Sequence, residues 1–378
     1  MGAIKKGAQI VLLIICLEGT AVARTKFELI MGFMNQFGHE GKQVFDGSGN
    51  EKTDIYEPVL FLEHQITPKT RIFGSFLADL WSSASEAIFD TDTGASGRAV
   101  AGGTPDTTLK RRIALDLGVS QKIKTWTITP RAGYAYEFDY RSINGGLRVD
   151  KSFAKDNFIL SLDYHAYFDK ARPLDAASGE FTPWQPKRVH TVNVSGSQIL
   201  TPSDLILVGY SFTHQSGFLS GTENSVDLNG NRVSEVLPDR RLRHAATLRY
   251  IHGFTDALAV HIDNRLYFDD WGILSPTFEP SLYLAFNDDS GLIKFFYRFY
   301  LQSASTYYQD SFPVQKRFMT SDSDLASFQA HEGGTMISYQ WDFHGWVKAI
   351  TLSGAGLYYH RSNGLSAAVY EFGFGGAF

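Results

Sequence analysis

The chain has 378 residues, a formal net charge of −5, a single cysteine, and 29 Phe, 18 Tyr, 6 Trp and 35 Gly. The acidic balance leaves no electrostatic footprint for a nucleic-acid partner, and one cysteine supplies neither a disulfide framework nor a thiolate metal site. Two or three soluble domains would fit this length, but aromatic and glycine richness with short alternating segments throughout fits one large barrel better.

The N-terminus reads as a signal peptide over residues 1–23. Lys5 and Lys6 precede an apolar run over residues 8–17, broken only by Gln9, and Ala21-Val22-Ala23 forms a small-x-small cleavage site. Cys16 falls in that segment, and Ile14 and Ile15 before it lack the small residue that lipoprotein processing requires. Beyond it there is no uninterrupted apolar run of about 18 residues, the length a membrane-spanning helix needs.

Residues 24–378 read as one outer-membrane β-barrel. Segments of period two bounded by Gly, Pro, Asn and Asp give about sixteen antiparallel strands in up-and-down order, with fourteen or eighteen as alternatives. The clearest cover 112–123, 125–137, 156–169, 203–215, 240–254, 256–270, 277–287, 291–302 and 346–359. Tight joins near Thr67-Pro68, Lys124, Lys155-Asp156, Thr201-Pro202, Thr255-Asp256, Asp289-Ser290 and His344-Gly345 alternate with longer segments at 37–51, 86–107, 170–185, 216–238 and 307–330. This is the asymmetry of short periplasmic turns and long outer loops. Gly145-Gly146 and Gly333-Gly334 read as further turns between strands. At the end of the chain Tyr370, Phe372, Phe374 and Phe378 alternate with Glu371, Gly373, Gly375 and Ala377, the pattern of a strand with one face in lipid.

A soluble two-sheet protein would also alternate, with its polar set in water. The signal segment, the strand count, the turn asymmetry and the terminal Phe together favour the membrane barrel of the Gram-negative outer membrane. The partners implied are outer-membrane lipid and the barrel assembly machinery.

Counting by twos assigns each strand's faces. In 256–270, Leu258, Val260, Ile262, Leu266 and Phe268 meet lipid, with Asn264 a misfit among them, while His261, Asp263 and Arg265 face the lumen. The same count turns Arg243, Arg249 and Glu279 inward, and Lys294 and Arg298 after them. As a pore these residues line water and tune ion preference. As a plug, Arg243, Arg249, Arg265 and Arg298 pair with Asp263 and Glu279 across strands and close the interior.

Between about Leu200 and Phe343 stand the stretch from Tyr210 to Leu219 (YSFTHQSGFL), Pro238-Asp239-Arg240-Arg241 with His244-Ala245, Asp269-Asp270-Trp271-Gly272-Ile273, and the stretch from Tyr300 to Ser305 (YLQSAS) with Tyr307-Tyr308. In these the chain resembles a family of Gram-negative outer-membrane proteins without assigned activity, the domain-of-unknown-function family 3570. The resemblance implies the fold and compartment, and a genomic setting that includes a periplasmic flavin transferase, a thioredoxin-like protein and a small lipoprotein.

That setting directs attention to two stretches similar to the transferase acceptor sequence, in which a hydroxyl receives FMN through its phosphate. One runs from Asp79 to Ser85 and the other from Asp90 to Ser96, with Asp79 and Asp90 as the carboxylates and Ser85 and Ser96 as the acceptors. Any loop leaving a barrel strand contains such residues, which is the plainer reading.

An enzyme alternative rests on His214 and Ser216, two apart on the lipid side, as outer-membrane lipid hydrolases place a general base and a nucleophile. Gly217 stands where those hydrolases usually have Asn, and no orienting carboxylate or amide occupies an obvious outward position on the next strand. The other histidines lack metal-ligand spacing. The sequence therefore supports a non-enzymatic envelope barrel that passes or binds a small solute or scaffolds a redox assembly.

Overall fold

A computed structural model describes residues 24–38, 53–83, 110–222 and 224–378. The predicted signal segment, Cys16, Ser85, Asp90 and Ser96 lie outside the described residues.

Sixteen antiparallel strands close a barrel. The first half comprises β1 (Thr25–Gly38), β2 (Thr53–Thr67), β3 (Thr70–Ser83), β4 (Lys110–Ile123), β5 (Trp126–Tyr136), β6 (Tyr140–Phe153), β7 (Phe158–Ala171) and β8 (Gln185–Thr201). After β9 (Asp204–Gly217) a two-stranded hairpin, β10 (Ser225–Leu228) and β11 (Asn231–Ser234), stands apart from the wall. The wall resumes with β12 (Arg240–Thr255), β13 (Leu258–Asp269), β14 (Leu274–Phe286) and β15 (Gly291–Gln302), and ends with β16 (Phe328–Asp342), β17 (Ala349–Arg361) and β18 (Leu365–Ala377). Apart from that hairpin each strand pairs with its chain neighbours, and β18 pairs with β1.

The seam joins the two chain ends. Leu29 lies opposite Phe374 and Phe33 opposite Tyr370. The Arg24 amide donates to the Phe378 carbonyl at 2.7 Å, and the Phe378 amide donates to the Thr25 carbonyl at 2.9 Å. The Phe378 ring stacks on Phe27 with centroids 5.9 Å apart and meets Trp346 at 4.8 Å. The seam thereby has no open edge to present to hydrocarbon.

The barrel strands run from 11 residues in β5 to 17 in β8, enough to cross a bilayer at the usual tilt. At the turn end, with both termini, joins are short and use left-handed backbone: Lys124 at φ 57°, Lys155 at 58°, and Asn287, Asp288 and Asp289 in succession. Asn and Asp tolerate that region better than other side-chain-bearing residues. The opposite end, termed the loop end, carries the segments 172–184, 218–239 and 303–327.

Alternation sorts the side chains as period two demands. Outward positions such as Leu117, Ile143, Val208, Phe295 and Phe372 are exposed and apolar, whereas Asp169, Gln215, Lys294, Arg298 and Glu371 on the other face are buried. This is the reverse of a soluble protein, whose apolar face would be the buried one.

Two expectations from the sequence change. Gly145-Gly146 lies inside β6 and Gly333-Gly334 inside β16, so neither pair is a turn. The inward member of each pair, Gly146 and Gly334, is there for space. A Cβ at Gly146 would sit 2.6 Å from His165 Nδ1 and 2.9 Å from the Tyr164 carbonyl; one at Gly334 would sit 2.7 Å from the Gly356 carbonyl and 2.9 Å from the Phe296 ring. Inward glycines admit bulky neighbours on adjacent strands. Gly334→Ala should therefore destabilise the barrel by about 1–3 kcal/mol, the usual range for overpacking, seen as a lower urea midpoint for protein folded into vesicles; an unchanged midpoint would mean the wall relaxes freely.

Candidate functional site: the lumen and its loop-end cap

Charged side chains meet inside the barrel because the lipid-facing set is closed to them. On the wall from β12 to β16, Arg241 Nη2 lies 2.6 Å from Asp269 Oδ2 with both side chains buried, and the Trp271 ring lies 4.3 Å from the guanidinium. Asp269 Oδ1 also accepts the amides of Trp271 and Ile273, each at 3.0 Å, and so ties the β13–β14 connection. Arg243 Nε donates to Tyr267 Oη at 3.0 Å, and that hydroxyl donates to Asp269 at 2.6 Å.

Lower on the same wall Arg249 pairs with Asp263 at 2.5 Å. Arg298 spans three strands, reaching Glu279 at 2.7 Å and Glu332 at 3.0 Å. Of the cross-strand pairs expected for a closed interior, these two form.

Arg265, Lys294 and His261 share this wall without forming a close ion pair, Lys294 being near enough to Glu279 and Asp263 to feel both. Arg265 lies between Thr247 and Thr277 in the ladder, its guanidinium 5.9 Å from the Tyr267 ring. Lys294 Nζ is 5.5 Å from the Tyr283 ring and 5.0 Å from the Phe296 ring, and the His261 ring lies 4.0 Å from Tyr283. Among the described residues no carboxylate comes within 4.0 Å of any of the three.

The wall around the seam has the opposite sign. Gly32 of β1 lies between Glu371 of β18 and Glu57 of β2 in the ladder, and Glu28 points inward four residues earlier. Among the described residues none of these three carboxylates forms an ion pair within 4.0 Å. Asp79, next along on β3, is buried against Arg112 of β4. Its carboxylate is thus engaged inside the barrel; Ser85 and the second acceptor-like stretch lie outside the described residues.

A third stretch, β5 to β7, is neutralised internally. Arg131 pairs with Asp163, and His165 Nε2 is 2.7 Å from Asn144 Oδ1.

The loop end is closed over on one side by chain that folds inward. Gln302, the inward-facing last residue of β15, donates from Nε2 to the carbonyls of Asp324 and Ala326, both at 2.8 Å. Arg361 at the end of β17 is ion-paired with Asp324, and its guanidinium lies 4.4 Å from the Phe328 ring. Leu325 then packs with Leu237, Trp271 and Ile273, and the β10–β11 hairpin packs Val226 against Phe312 and Met319. The Thr222 hydroxyl donates to Asp139 at 2.6 Å, and Leu174 donates its amide to the Thr222 carbonyl at 2.6 Å. Segment 303–327 is therefore held at the mouth by two lumen side chains. Tyr308 in it has its hydroxyl held protonated by burial and by the carboxylate of Asp310.

Trp271, Ile273 and Gln302 fall in the stretches that carry the family resemblance, but nothing in the sequence marked any of these residues as a cap anchor. One local signal was available: Asn229-Gly230 between Val226, Leu228 and Val233 is a two-residue hairpin signature, and both residues have positive φ, 51° and 83°. The acidic row carried only the signal of period two at residues 28, 57 and 371.

His214 and Ser216 both point outward near the loop end of β9. His214 lies opposite His190 on β8 and Leu242 on β12, and Ser216 opposite Arg188 and Arg240. No carboxylate or amide side chain occupies these flanking positions, so the third member of a hydrolase triad is not supplied by the neighbouring strands. Among the described residues no three His, Cys, Asp or Glu side chains are grouped to hold a metal ion.

Comparisons with known proteins agree with the architecture. The structure superposes on a bacterial polysaccharide outer membrane secretin with a TM-score of 0.50 and 11% identity, covering 95% of this chain and 100% of that one. A Pseudomonas aeruginosa FadL homologue gives 0.46 at 10% identity, covering 94% and 90%, and a BenF-like porin from Pseudomonas fluorescens Pf-5 gives 0.46 at 8%, covering 94% and 99%. No curated protein matches the chain. The family described as protein of unknown function (DUF3570) matches residues 63–370, and the chain, a porin-like β-barrel, belongs to it.

Proposed function

We propose that this barrel is a conduit in the Gram-negative outer membrane for small polar solutes carrying both an anionic and a cationic group, after removal of residues 1–23 as a signal peptide. Sixteen strands are enough to leave an aqueous lumen. The observation that carries the reading is the separation of charge outside ion pairs: among the described residues Arg265 and Lys294 on one wall, and Glu28, Glu57 and Glu371 on the wall around the seam, form no ion pair within 4.0 Å, although Glu57 lies beside the Asp79–Arg112 pair and Lys294 feels Glu279 and Asp263.

Paired charges neutralise one another and do little to a passing solute. Charges of opposite sign left outside ion pairs on separate walls bias the field across the lumen, amplified by the low-dielectric surroundings. A dipolar solute aligns with such a field. Segment 303–327, fixed at the mouth by Gln302 and Arg361, narrows the path over which alignment operates.

The test uses protein reconstituted in planar bilayers and in liposomes. Wild type should conduct and should admit an amino acid faster than a neutral sugar alcohol of similar mass. Arg265→Ala with Lys294→Ala should move the reversal potential toward cation preference, and Glu57→Gln with Glu371→Gln toward anion preference, each lowering the amino-acid advantage severalfold. Electrical silence, or an advantage unchanged in both double variants, would overturn the reading.

Paired and unpaired residues should also separate by stability. Arg298→Ala leaves Glu279 and Glu332 buried without their cation and should cost about 3–5 kcal/mol, whereas Arg265→Ala, which orphans no partner, should cost less. Equilibrium unfolding in vesicles measures both.

A further inference from the structure

Outside the barrel, at the loop end of β6 to β12, four basic side chains stand on the lipid-facing set. Arg141 lies opposite Lys170 across the β6–β7 ladder. Arg188 of β8, Ser216 of β9 and Arg240 of β12 lie in one row across three strands. All four basic residues are exposed. Among the described residues none of them makes an ion pair, although every lumen arginine treated above except Arg265 has a hydrogen-bonded partner. Arg141 is braced by the rings of Tyr136 and Trp184, at 5.5 and 4.6 Å from its guanidinium carbon.

Immediately toward the membrane the same columns turn amphipathic. Phe168 already shares the row of Arg188; one step toward the turn end His190 lies opposite His214, and one step further Phe212 lies opposite His244. Basic residues above an aromatic and histidine layer match the boundary between lipid headgroups and acyl chains. The basic cluster is local to this sector. Asp270, at the rim beyond β12, has its carboxylate engaged by the Leu242 amide at 2.9 Å.

We propose that Arg141, Lys170, Arg188 and Arg240, with the Ser216 hydroxyl between the last two, bind the phosphates of lipid A in the outer leaflet. Two pairs of cations call for a ligand with more than one phosphate. Arg188 and Arg240 flank Ser216 at two strand spacings, ~10 Å, so they embrace a headgroup from both sides. Guanidinium groups recognise phosphate oxygens through paired N–H donors, and the Phe168 and Phe212 rings lie where acyl chains begin. The proposal rests on the outer-membrane placement with the loop end facing out, and is independent of what crosses the lumen.

The experiment measures binding to protein folded in detergent micelles by native mass spectrometry, using bis-phosphorylated lipid A, its dephosphorylated form and phosphatidylglycerol. Wild type should bind bis-phosphorylated lipid A at least tenfold more tightly than either other lipid. Arg188→Ala with Arg240→Ala should lose at least tenfold, and Arg188→Lys with Arg240→Lys should stay within about threefold of wild type. Heat-modifiable migration confirms that each variant is folded. Equal binding of the dephosphorylated lipid or of phosphatidylglycerol, or unchanged binding by the folded alanine variant, would overturn the site. Placement is read separately by labelling Ser178→Cys in intact cells with a membrane-impermeant maleimide. Failure to label would overturn the placement, whereas labelling together with unchanged lipid binding in the alanine variant would overturn the lipid site alone.

Discussion

Closure of the β1–β18 seam is the constraint on which the rest depends. Hydrocarbon offers no hydrogen-bond partner, so each strand amide and carbonyl must find one within the sheet, and a sheet with no edge is the way strands achieve this. Pairing runs from Lys26 opposite Ala377 to Gly38 opposite Leu365, and the Arg24 and Phe378 main chains add a further exchange at the turn end. With the cylinder closed, side chains have only two directions left. Among the described residues the Asp, Glu, Lys and Arg side chains at mid-strand positions, such as Arg131, Asp163, Arg249, Asp263, Glu279 and Arg298, are then directed toward the lumen, which concentrates charge there whatever the protein does with it.

Concentrated charge must be neutralised or used. A buried ion pair gains in attraction roughly what it loses in desolvation, so Arg298 with Glu279 and Glu332, or Arg241 with Asp269, contributes specificity of strand placement more than net stability. Arg265, set between Thr247 and Thr277, and Lys294 make no ion pair of this kind.

How much of this was legible in the sequence follows the range of the interaction concerned. Period two is local, so strands such as 291–302 and the inward set through Arg249, Asp263 and Glu279 could be read directly. Gly333-Gly334 misled because glycine marks turns in most chains; its reason here, the Phe296 ring on the neighbouring strand and the Gly356 carbonyl on the other, lies in residues distant along the chain. The acidic row joins residues 28, 57 and 371, brought together only by closure. Arg361 meets Asp324 across 37 residues of chain that include the two strands β16 and β17, and no local pattern announces that contact.

The exterior answers the same constraint in its own way. Three times a tyrosine hydroxyl meets the Nδ1 of a histidine on the next wall strand, one step diagonally: Tyr164 with His190 at 2.9 Å, Tyr210 with His244 at 2.6 Å, and Tyr297 with His331 at 2.7 Å. Each pair lies on the outward set, and its histidine also contacts a phenylalanine ring: Phe168, Phe268 and Phe299 respectively. A lone hydroxyl or imidazole facing hydrocarbon would forfeit its hydrogen bond. Joined across the ladder, the two polar atoms satisfy each other and leave the ring edges to the lipid. The recurrence on β7–β8, β9–β12 and β15–β16 makes the pair a wall motif, and it allows a polar layer to sit at the membrane boundary without opening the barrel.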